Sequence, residues 1–185
     1  PTYRLPHDVL QKEISRIEKL GVTIHCRTPL TAEMLQAFKT RYDAVFIGCG
    51  HGRAINLQIE GAQKAINGLQ FLYNIRARQE LSLNAKRTAA VVGGGNTAID
   101  VARTLVRLEI DPIIVYRRRR QDMPAFSPEL QMALDEGVKL KTLLTPIAIK
   151  DAGSNSAGHQ AGYVVTLQKM KVSATEIEGR ARVVP

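Results

Sequence analysis

The sequence predicts an α/β fold built on a parallel sheet, preceded by part of a second α/β unit. Two observations carry this prediction. From Thr88 to Leu144, strand and helix patterns alternate in the order βαβαβ, which is typical of a parallel sheet. From His7 to Gly48, a shorter alternation of helix and strand patterns comes before it. The chain is therefore expected to hold one complete and one incomplete α/β region.

The N-terminal region contains two predicted helices. The first runs from His7 to Leu20, where apolar side chains recur at helical spacing. Gly21 follows it, at the position of a left-handed residue that ends a helix. Thr31 is placed to cap a second, shorter helix that carries Leu35 and Phe38. An apolar segment follows each of these helices.

These two apolar segments are predicted to be strands. They run from Val22 to Cys26 and from Asp43 to Gly48, and the second ends in the turn Gly48-Cys49-Gly50. Cys26 and Cys49 form no CxxC pair, so the sequence predicts neither a zinc site nor an adjacent redox-active dithiol. We expect two buried thiols and no metal site.

A polar stretch from Ser82 to Arg87 precedes the strongest α/β pattern. A helix with apolar residues from Ile66 to Ile75 comes before this stretch, which is the best candidate for an internal boundary. An alternating pattern of strands and helices then begins. Its predicted elements are strand Thr88–Val92, helix Asn96–Leu108, strand Ile113–Tyr116, helix Pro128–Glu136 and strand Val138–Leu144.

The last part of the chain predicts an antiparallel strand pair. A loop from Asp151 to Gly162, rich in Gly, Ser, Ala and Asn, joins the apolar residues Ile147 to Ile149 to the strand pattern Tyr163 to Leu167. The sequence starts at Pro1 and stops in an apolar stretch at Pro185, so we expect a piece of something longer.

The charge of the chain favours an anionic partner. Lys and Arg number 26 against 17 Asp and Glu, which gives a net charge of +9. A nucleotide, a nucleic acid or an acidic protein would each fit this charge. With 44% hydrophobic residues the chain is expected to bury a core. No apolar run approaches the roughly 20 residues that span a bilayer, so we expect no membrane segment and a cytoplasmic location.

The glycine turn between the first strand and helix of the βαβαβ pattern fits GxGxxA. Gly93 allows a tight turn out of the strand, Gly95 allows a pyrophosphate to approach the backbone, and Ala98 allows helix and strand to pack closely. The phosphate would bind the free N–H groups at the helix N-terminus. This context predicts a Rossmann-like sheet with helices on both faces. The predicted phosphate-binding residues are Gly93, Gly94, Gly95, Asn96, Thr97 and Ala98, with Asn96 or Thr97 capping the helix.

Four arginines follow the second strand of this pattern, directly after Tyr116. An NAD site usually places Asp or Glu there for the ribose 2′-hydroxyl, whereas an Arg guanidinium binds the 2′-phosphate of NADP. The sequence therefore predicts NADP(H) rather than NAD(H), with Arg117 and Arg118 as phosphate ligands. Arg119 and Arg120 are expected to face water.

Other interpretations of the basic run are a solvated surface or a nucleic-acid patch. Its position at the end of a strand decides against both, and no Phe or Tyr cluster near it offers a stacking platform for bases. We therefore expect no nucleic-acid partner. A non-catalytic nucleotide-binding module and, less favoured, a basic nucleic-acid-binding domain stay open as alternatives, while a free-standing dehydrogenase lacks substrate-facing catalytic residues after the nucleotide domain.

Several motifs together resemble one family. They are Pro1-Thr-Tyr-Arg-Leu-Pro, Tyr42-Asp-Ala-Val-Phe-Ile-Gly-Cys-Gly, Val92-Gly-Gly-Gly-Asn-Thr-Ala-Ile-Asp-Val-Ala-Arg, Tyr116-Arg-Arg, Met123-Pro-Ala, Glu129 and Glu136-Gly-Val. The chain resembles the FAD- and NADPH-binding module of the glutamate synthase small subunit and of dihydropyrimidine dehydrogenase. This module is similar to the pyridine nucleotide-disulfide oxidoreductases. Glu109 and Ile110 depart from the pattern, since relatives commonly have Gly and Ala after the helix.

The resemblance implies a division of the chain and a function. Residues 1–60 would be part of an FAD-binding domain, with Gly48 and Gly50 beside the flavin nucleotide, and residues 61–185 the NADP(H)-binding domain. The implied activity is that of an NADPH-dependent FAD oxidoreductase, in which NADPH passes hydride to FAD. Because the chain has no cysteine pair, electrons would then pass to an iron–sulfur domain or subunit. No residue of this chain is predicted to be catalytic, and the fragment is expected to be inactive alone.

Overall fold

The structure, a computed structural model, describes residues 1–50, 56–79, 88–153, 162–177 and 180–185. The chain divides into two compact units, Pro1–Gly52 and Arg53–Pro185. The predicted division into an FAD-binding part (residues 1–60) and an NADP(H)-binding part (61–185) stays a prediction, and Glu60 lies in the second unit. There Ile149 N donates a hydrogen bond of 2.9 Å to Glu60 O. The boundary suggested by Ser82 to Arg87 lies outside the described residues.

The first unit contains the two predicted helices, α1 (His7–Lys19) and α2 (Ala32–Arg41). Thr31 caps α2 as expected, because its hydroxyl oxygen accepts a hydrogen bond of 3.2 Å from Met34 N. Gly21, after α1, has a φ of +90°, which favours glycine. Neither helix has a buried side chain.

The two strands predicted for this unit are not present among its described residues. Val22 to Cys26 and Asp43 to Gly48 lie outside any assigned strand. A strand needs hydrogen bonds to a neighbouring strand, and these segments make none that forms a sheet. Their apolar side chains are exposed instead, with Phe46 at 96% and Ile47 at 61%. The prediction of buried thiols is also wrong, since Cys26 and Cys49 are both exposed.

The second unit is built on a three-stranded parallel sheet. Its strands are β1 (Thr88–Val92), β2 (Asp111–Tyr116) and β3 (Lys139–Thr142), in the order β1-β2-β3. Helices α4 (Asn96–Arg107) and α5 (Ser127–Asp135) connect them, and helix α3 (Gly68–Arg76) precedes the sheet. This arrangement confirms the predicted βαβαβ series and the Rossmann-like α/β fold.

The core of this unit lies between α4 and the sheet. Ile99, on α4, and Ile114, on β2, are fully buried. The buried face of α4 continues through Ala102 and Leu105, at helical spacing. Helices α3 and α5 both pack against α4. The helix that follows the glycine turn is therefore held by the sheet and by two neighbouring helices.

The strands after β3 form two antiparallel pairs. The predicted strand Val138–Leu144 is interrupted at Leu143, which has a φ of +54°, so that β4 (Leu144–Asp151) begins as a new element. β4 pairs with β5 (Tyr163–Lys169), as predicted. The sequence did not predict the second pair, which consists of β6 (Lys171–Ile177) and β7 (Arg180–Val184).

Two kinds of feature are absent from the residues that the structure describes. No helix among them is both long enough and apolar enough to cross a membrane. No group of three or more His, Cys, Asp or Glu side chains among them could hold a metal ion.

Candidate functional site: the glycine turn and the arginine loop

The glycine turn leaves β1 through a backbone conformation that favours glycine. Gly93 has a φ of +138°, and its N–H donates a hydrogen bond of 3.1 Å to Val115 O on β2. A Cβ at this position would lie 3.4 Å from the Cβ of Ala98, which is itself buried. Gly93 therefore forms the tight turn that leaves β1, and Ala98 brings helix α4 close to that turn.

Gly94 is required for a reason that the sequence did not predict. A Cβ here would lie 2.5 Å from Cε2 of Tyr116, far closer than two carbon atoms can approach. The buried ring of Tyr116 occupies the space beside the Gly94 backbone. The end of β2 and the glycine turn are thus in direct contact.

Helix α4 begins at this turn with open backbone donors. Its N-cap residue is Gly95, and no side chain caps it. The nearest heavy atom to a Cβ built on Gly95 would be Cγ of Pro124, 4.0 Å away. Within the described residues, no backbone acceptor is found for the N–H groups of Asn96 and Thr97. The first turn of a helix presents such groups to an anion.

The predicted capping by Asn96 or Thr97 is wrong. Gly95 takes the N-cap position, and Asn96 lies inside the first turn, where its side chain faces another segment. Its Oδ1 accepts a hydrogen bond of 3.0 Å from Phe126 N. The side chain of Asn96 therefore fixes a neighbouring segment and leaves the helix terminus uncapped.

The arginine loop, residues 117–122, begins where β2 ends. Arg117 is exposed and Arg118 is half-buried, and the carbonyl of Arg118 accepts a hydrogen bond of 3.2 Å from Leu143 N. No ion pair of Arg117 is found among the described residues. Arg120 is exposed as predicted, and its Nη2 donates to Gln131 Oε1 at 3.0 Å.

Arg119 does not face water as predicted. Its Nε and Nη2 donate hydrogen bonds of 2.7 and 2.9 Å to the carboxylate of Asp122, which also accepts from the Arg119 backbone N–H at 3.2 Å. The Asp122 side chain is 5% exposed. A carboxylate this buried is stable only with charged or polar partners, and Arg119 supplies them.

The return segment, residues 123–126, brings the chain back to the glycine turn. Ala125 N donates to Gly94 O at 3.0 Å, next to the bond between Phe126 and Asn96. At the start of the loop, the Tyr116 hydroxyl donates to Asp122 O at 2.7 Å. The two predicted halves of the site, glycine turn and arginines, therefore form one connected structure. A shallow pocket of about 310 Å³ lies beside it, lined by Arg120, Gln121, Met123, Ala125, Ser127 and Leu130.

An ion cluster around the buried Arg103 holds the C-terminal half of α4. The Arg103 side chain is 7% exposed and donates to Glu129 at 2.7 Å and to both oxygens of Glu136 at 2.8 and 3.0 Å. Arg107 donates to the same two oxygens of Glu136, at 2.9 Å each. Hydrogen bonds from Arg107 and then Arg103 lower the pKa of Glu136 to about 2. This cluster links α4 to α5 and to the residues just after it.

Sequence reasoning gave no role to this cluster or to Asp122. A signal existed for the cluster, because Arg103, Glu129 and Glu136 all stand in the motifs that carry the family resemblance. For Asp122 there was none beyond its place just before Met123-Pro-Ala.

Gly48 and Gly50, the predicted flavin-side glycines, lie in the first unit. Gly50 has a φ of +68°, and a Cβ on Gly48 would lie 3.1 Å from Cε1 of Phe46. Both residues are exposed. Contact of these glycines with a flavin stays a prediction, and His51 lies outside the described residues.

Comparison with known proteins places these features in a family context. A sequence model of the pyridine nucleotide-disulphide oxidoreductase family matches residues 7–180. The beta subunit of the NADP(+)-dependent formate dehydrogenase of Moorella thermoacetica is 36% identical over 191 residues, covering 100% of this chain and 26% of that protein. The beta subunit of the NADPH-Fe(3+) oxidoreductase of Geobacter sulfurreducens is 33% identical over 156 residues, covering 80% of this chain and 23% of that protein.

A third relative is named for NAD instead of NADP. Subunit PreT of the NAD-dependent dihydropyrimidine dehydrogenase of Escherichia coli is 36% identical over 157 residues, covering 81% of this chain and 37% of that protein. The chain thus spans well under half the length of each of these three relatives. A solved structure of 2-naphthoyl-CoA reductase with 2-naphthoyl-CoA has a TM-score of 0.59, covers 82% of this chain and 22% of that chain, and is 20% identical. That likeness concerns the fold alone.

Proposed function

The chain belongs to the pyridine nucleotide-disulphide oxidoreductase family, and on this premise we propose that it is the NADP(H)-binding part of a flavin-dependent oxidoreductase. The observation that carries the proposal is the uncapped N-terminus of α4 together with the exposed Arg117, which directly follows the Tyr116 ring packed against Gly94. One feature suits a pyrophosphate and the other a ribose 2′-phosphate. The structure joins them through the return segment.

In this proposal the pyrophosphate binds at the start of α4. The N–H groups of Asn96 and Thr97 would donate to its oxygens, and the dipole of a helix of 12 residues favours the negative charge. Gly95 leaves room for the approach, because a Cβ there would meet nothing closer than 4.0 Å. Gly93, Gly94 and Ala98 would shape the turn and make no contact through a side chain.

The 2′-phosphate would bind Arg117 and Arg118. A guanidinium donates two parallel hydrogen bonds to phosphate oxygens, and these are strengthened by charge. The family alone does not choose the coenzyme, since two of the relatives are named for NADP or NADPH and one for NAD. The choice of NADP(H) rests on the arginines.

The redox step would be carried by the bound cofactors. NADPH supplies a hydride that FAD accepts, and this chain would supply binding, orientation and electrostatics. Gly48 and Gly50 would lie beside the flavin nucleotide in the assembled FAD domain. The chain has only two cysteines, far apart in sequence, so we propose that electrons continue to an iron–sulfur domain or subunit. The activity and partners of the whole protein are part of this proposal.

The test is a titration of the protein with NADPH and NADH. We expect tighter binding of NADPH, and Arg117→Ala and Arg118→Ala should each weaken NADPH binding roughly tenfold, the loss of one good charge-assisted contact. NADH binding should change by less than about twofold, because NADH lacks the 2′-phosphate. Arg120→Ala is the matched control, since it removes the same charge from the same loop.

An unchanged preference in the Arg117 and Arg118 variants would contradict the site. Equal weakening by Arg120→Ala would indicate a general effect of charge instead. Binding of NADPH without any reduction of flavin in the intact protein would favour the alternative of a non-catalytic nucleotide-binding module.

A further inference from the structure

We propose that Asp122 is a positioning residue for coenzyme selection, which holds the arginine loop so that Arg117 and Arg118 meet the 2′-phosphate. This inference rests on the proposed NADP(H) site. It adds to that site a residue which acts through Arg119 and does not itself contact the coenzyme.

The contact between Asp122 and Arg119 fixes both backbone and side chain. One carboxylate accepts three hydrogen bonds from Arg119, at 3.2 Å from the backbone N–H and at 2.7 and 2.9 Å from the guanidinium. The two guanidinium donors are thereby directed at Asp122. The pair also neutralises one of the four loop arginines, and it leaves the exposed charge of Arg117 at the start of the loop.

The loop is held at both ends. At its start, the ring of Tyr116 packs beside Gly94 and its hydroxyl donates to the Asp122 carbonyl at 2.7 Å. At its end, the return segment bonds to the glycine turn through Ala125 N and Gly94 O, 3.0 Å apart. The backbone carbonyl of Asp122 therefore ties the end of the loop to Tyr116, and its carboxylate ties the same residue to Arg119 within the loop. A loop held in this way loses little conformational freedom when an anion binds, which favours affinity.

Geometry and charge predict opposite effects when Asp122 is changed. Removing a negative charge from a phosphate site would by itself strengthen phosphate binding. Releasing the loop would weaken it, because Arg117 and Arg118 would no longer be held in one arrangement. The direction of the change therefore separates a positioning role from a purely electrostatic one.

The experiment measures dissociation constants of NADPH and NADH for the intact protein and four variants. These are Asp122→Asn, Arg119→Ala, their double variant and Arg119→Lys, with Arg120→Ala as the control. We expect the preference for NADPH over NADH to fall roughly tenfold in Asp122→Asn and in Arg119→Ala, while NADH binding changes by less than about twofold. The double variant should be no weaker than either single variant, because both remove the same contact. Arg119→Lys, which keeps the charge, should lie between Arg119→Ala and the unchanged protein.

Several outcomes would overturn the inference. Tighter NADPH binding by Asp122→Asn would show that its charge, and not its position, matters. A loss confined to Arg119→Ala would make Arg119 a direct ligand. Equal losses for NADPH and NADH would indicate general damage to the fold. If Asp122→Asn does not fold, Arg119→Ala, at a side chain 34% exposed, carries the test together with Arg120→Ala. Because both remove one positive charge from the loop, a loss no larger in Arg119→Ala than in Arg120→Ala would overturn the inference.

The preference of the unsubstituted protein for NADPH over NADH shows whether a failure concerns this inference or the function on which it rests. If that protein shows no preference for NADPH, the proposed NADP(H) site fails and the role of Asp122 fails with it. If it prefers NADPH and the Asp122 and Arg119 variants keep that preference, only the positioning role is overturned.

Discussion

The two units of the chain differ in how much of the secondary structure predicted from the sequence forms and is buried. In the first unit both helices form, yet neither buries a side chain, and the apolar segments beside them are exposed. In the second unit the same kinds of pattern produce a sheet, a buried core and internal ion pairs. A helix satisfies its own backbone hydrogen bonds, whereas a strand depends on a neighbour. A half-complete α/β pattern can therefore give helices without strands.

The largest expected effect on stability comes from removing an ion pair. The ion pairs of the two units differ in how far they are exposed to solvent. Arg103→Ala should lower the free energy of unfolding of the second unit by about 3 kcal/mol, because it removes a buried guanidinium that bonds to two partly buried carboxylates, Glu129 and Glu136. Arg16→Ala, in the first unit, should cost less than about 0.5 kcal/mol, since Arg16 and Glu13 form an exposed pair on one helix. Urea denaturation followed by circular dichroism measures both. Similar losses in the two variants would remove this difference between the units.

The second expected effect is a loss of stability of the second unit at low pH. The pKa of Glu136 is lowered from its usual 4.5 to about 2, so its contribution to stability is complete above pH 4.5 and is lost as the pH falls towards 2. Over that range the second unit should lose about 2 kcal/mol that Glu136→Gln does not lose, a figure reduced for the partial exposure of this carboxylate. Amide hydrogen exchange in α4 assigns the loss to this unit. Parallel pH profiles for the protein and the variant would contradict the expectation.

The smallest expected effect concerns helix ends. After α1 the left-handed position is Gly21, but after α4 it is Glu109, with a φ of +59°. The N–H groups of Glu109 and Ile110 donate to Val106 O and Leu105 O, both at 3.0 Å, which is a Schellman ending. Glu109→Gly should therefore raise the stability of the second unit by about 0.5 to 1 kcal/mol, measured as a shift of the urea midpoint. Gly21→Ala is the reverse control, and stabilisation by it would contradict the argument.

The sequence predicted the elements of the second unit because their signals are local. The bounds of β1 and α4 follow from apolar spacing and from the glycine turn, and they agree with the structure to within a residue. The contacts that connect the site were not predictable in this way. Tyr116 against Gly94 and Phe126 against Asn96 join residues far apart in the chain, and no spacing rule relates them.

Arg119 illustrates the same limit within a short segment. Four consecutive arginines look alike in the sequence, and from its place late in the run Arg119 was predicted to be exposed to solvent. The structure distinguishes them by the position of one carboxylate, Asp122, three residues further on. An arginine that pairs within its own loop and one that is exposed differ only once the turn between them is known.

The contact between Gly94 and Tyr116 makes the residue allowed at one of these positions depend on the residue at the other. A side chain at position 94 would displace the ring, and a smaller residue at 116 would lose the hydroxyl that binds the Asp122 carbonyl. Substitution at either position alone should therefore be disfavoured during divergence. Related chains should either keep both residues or change both together, and where both change, the arginine loop needs a different anchor.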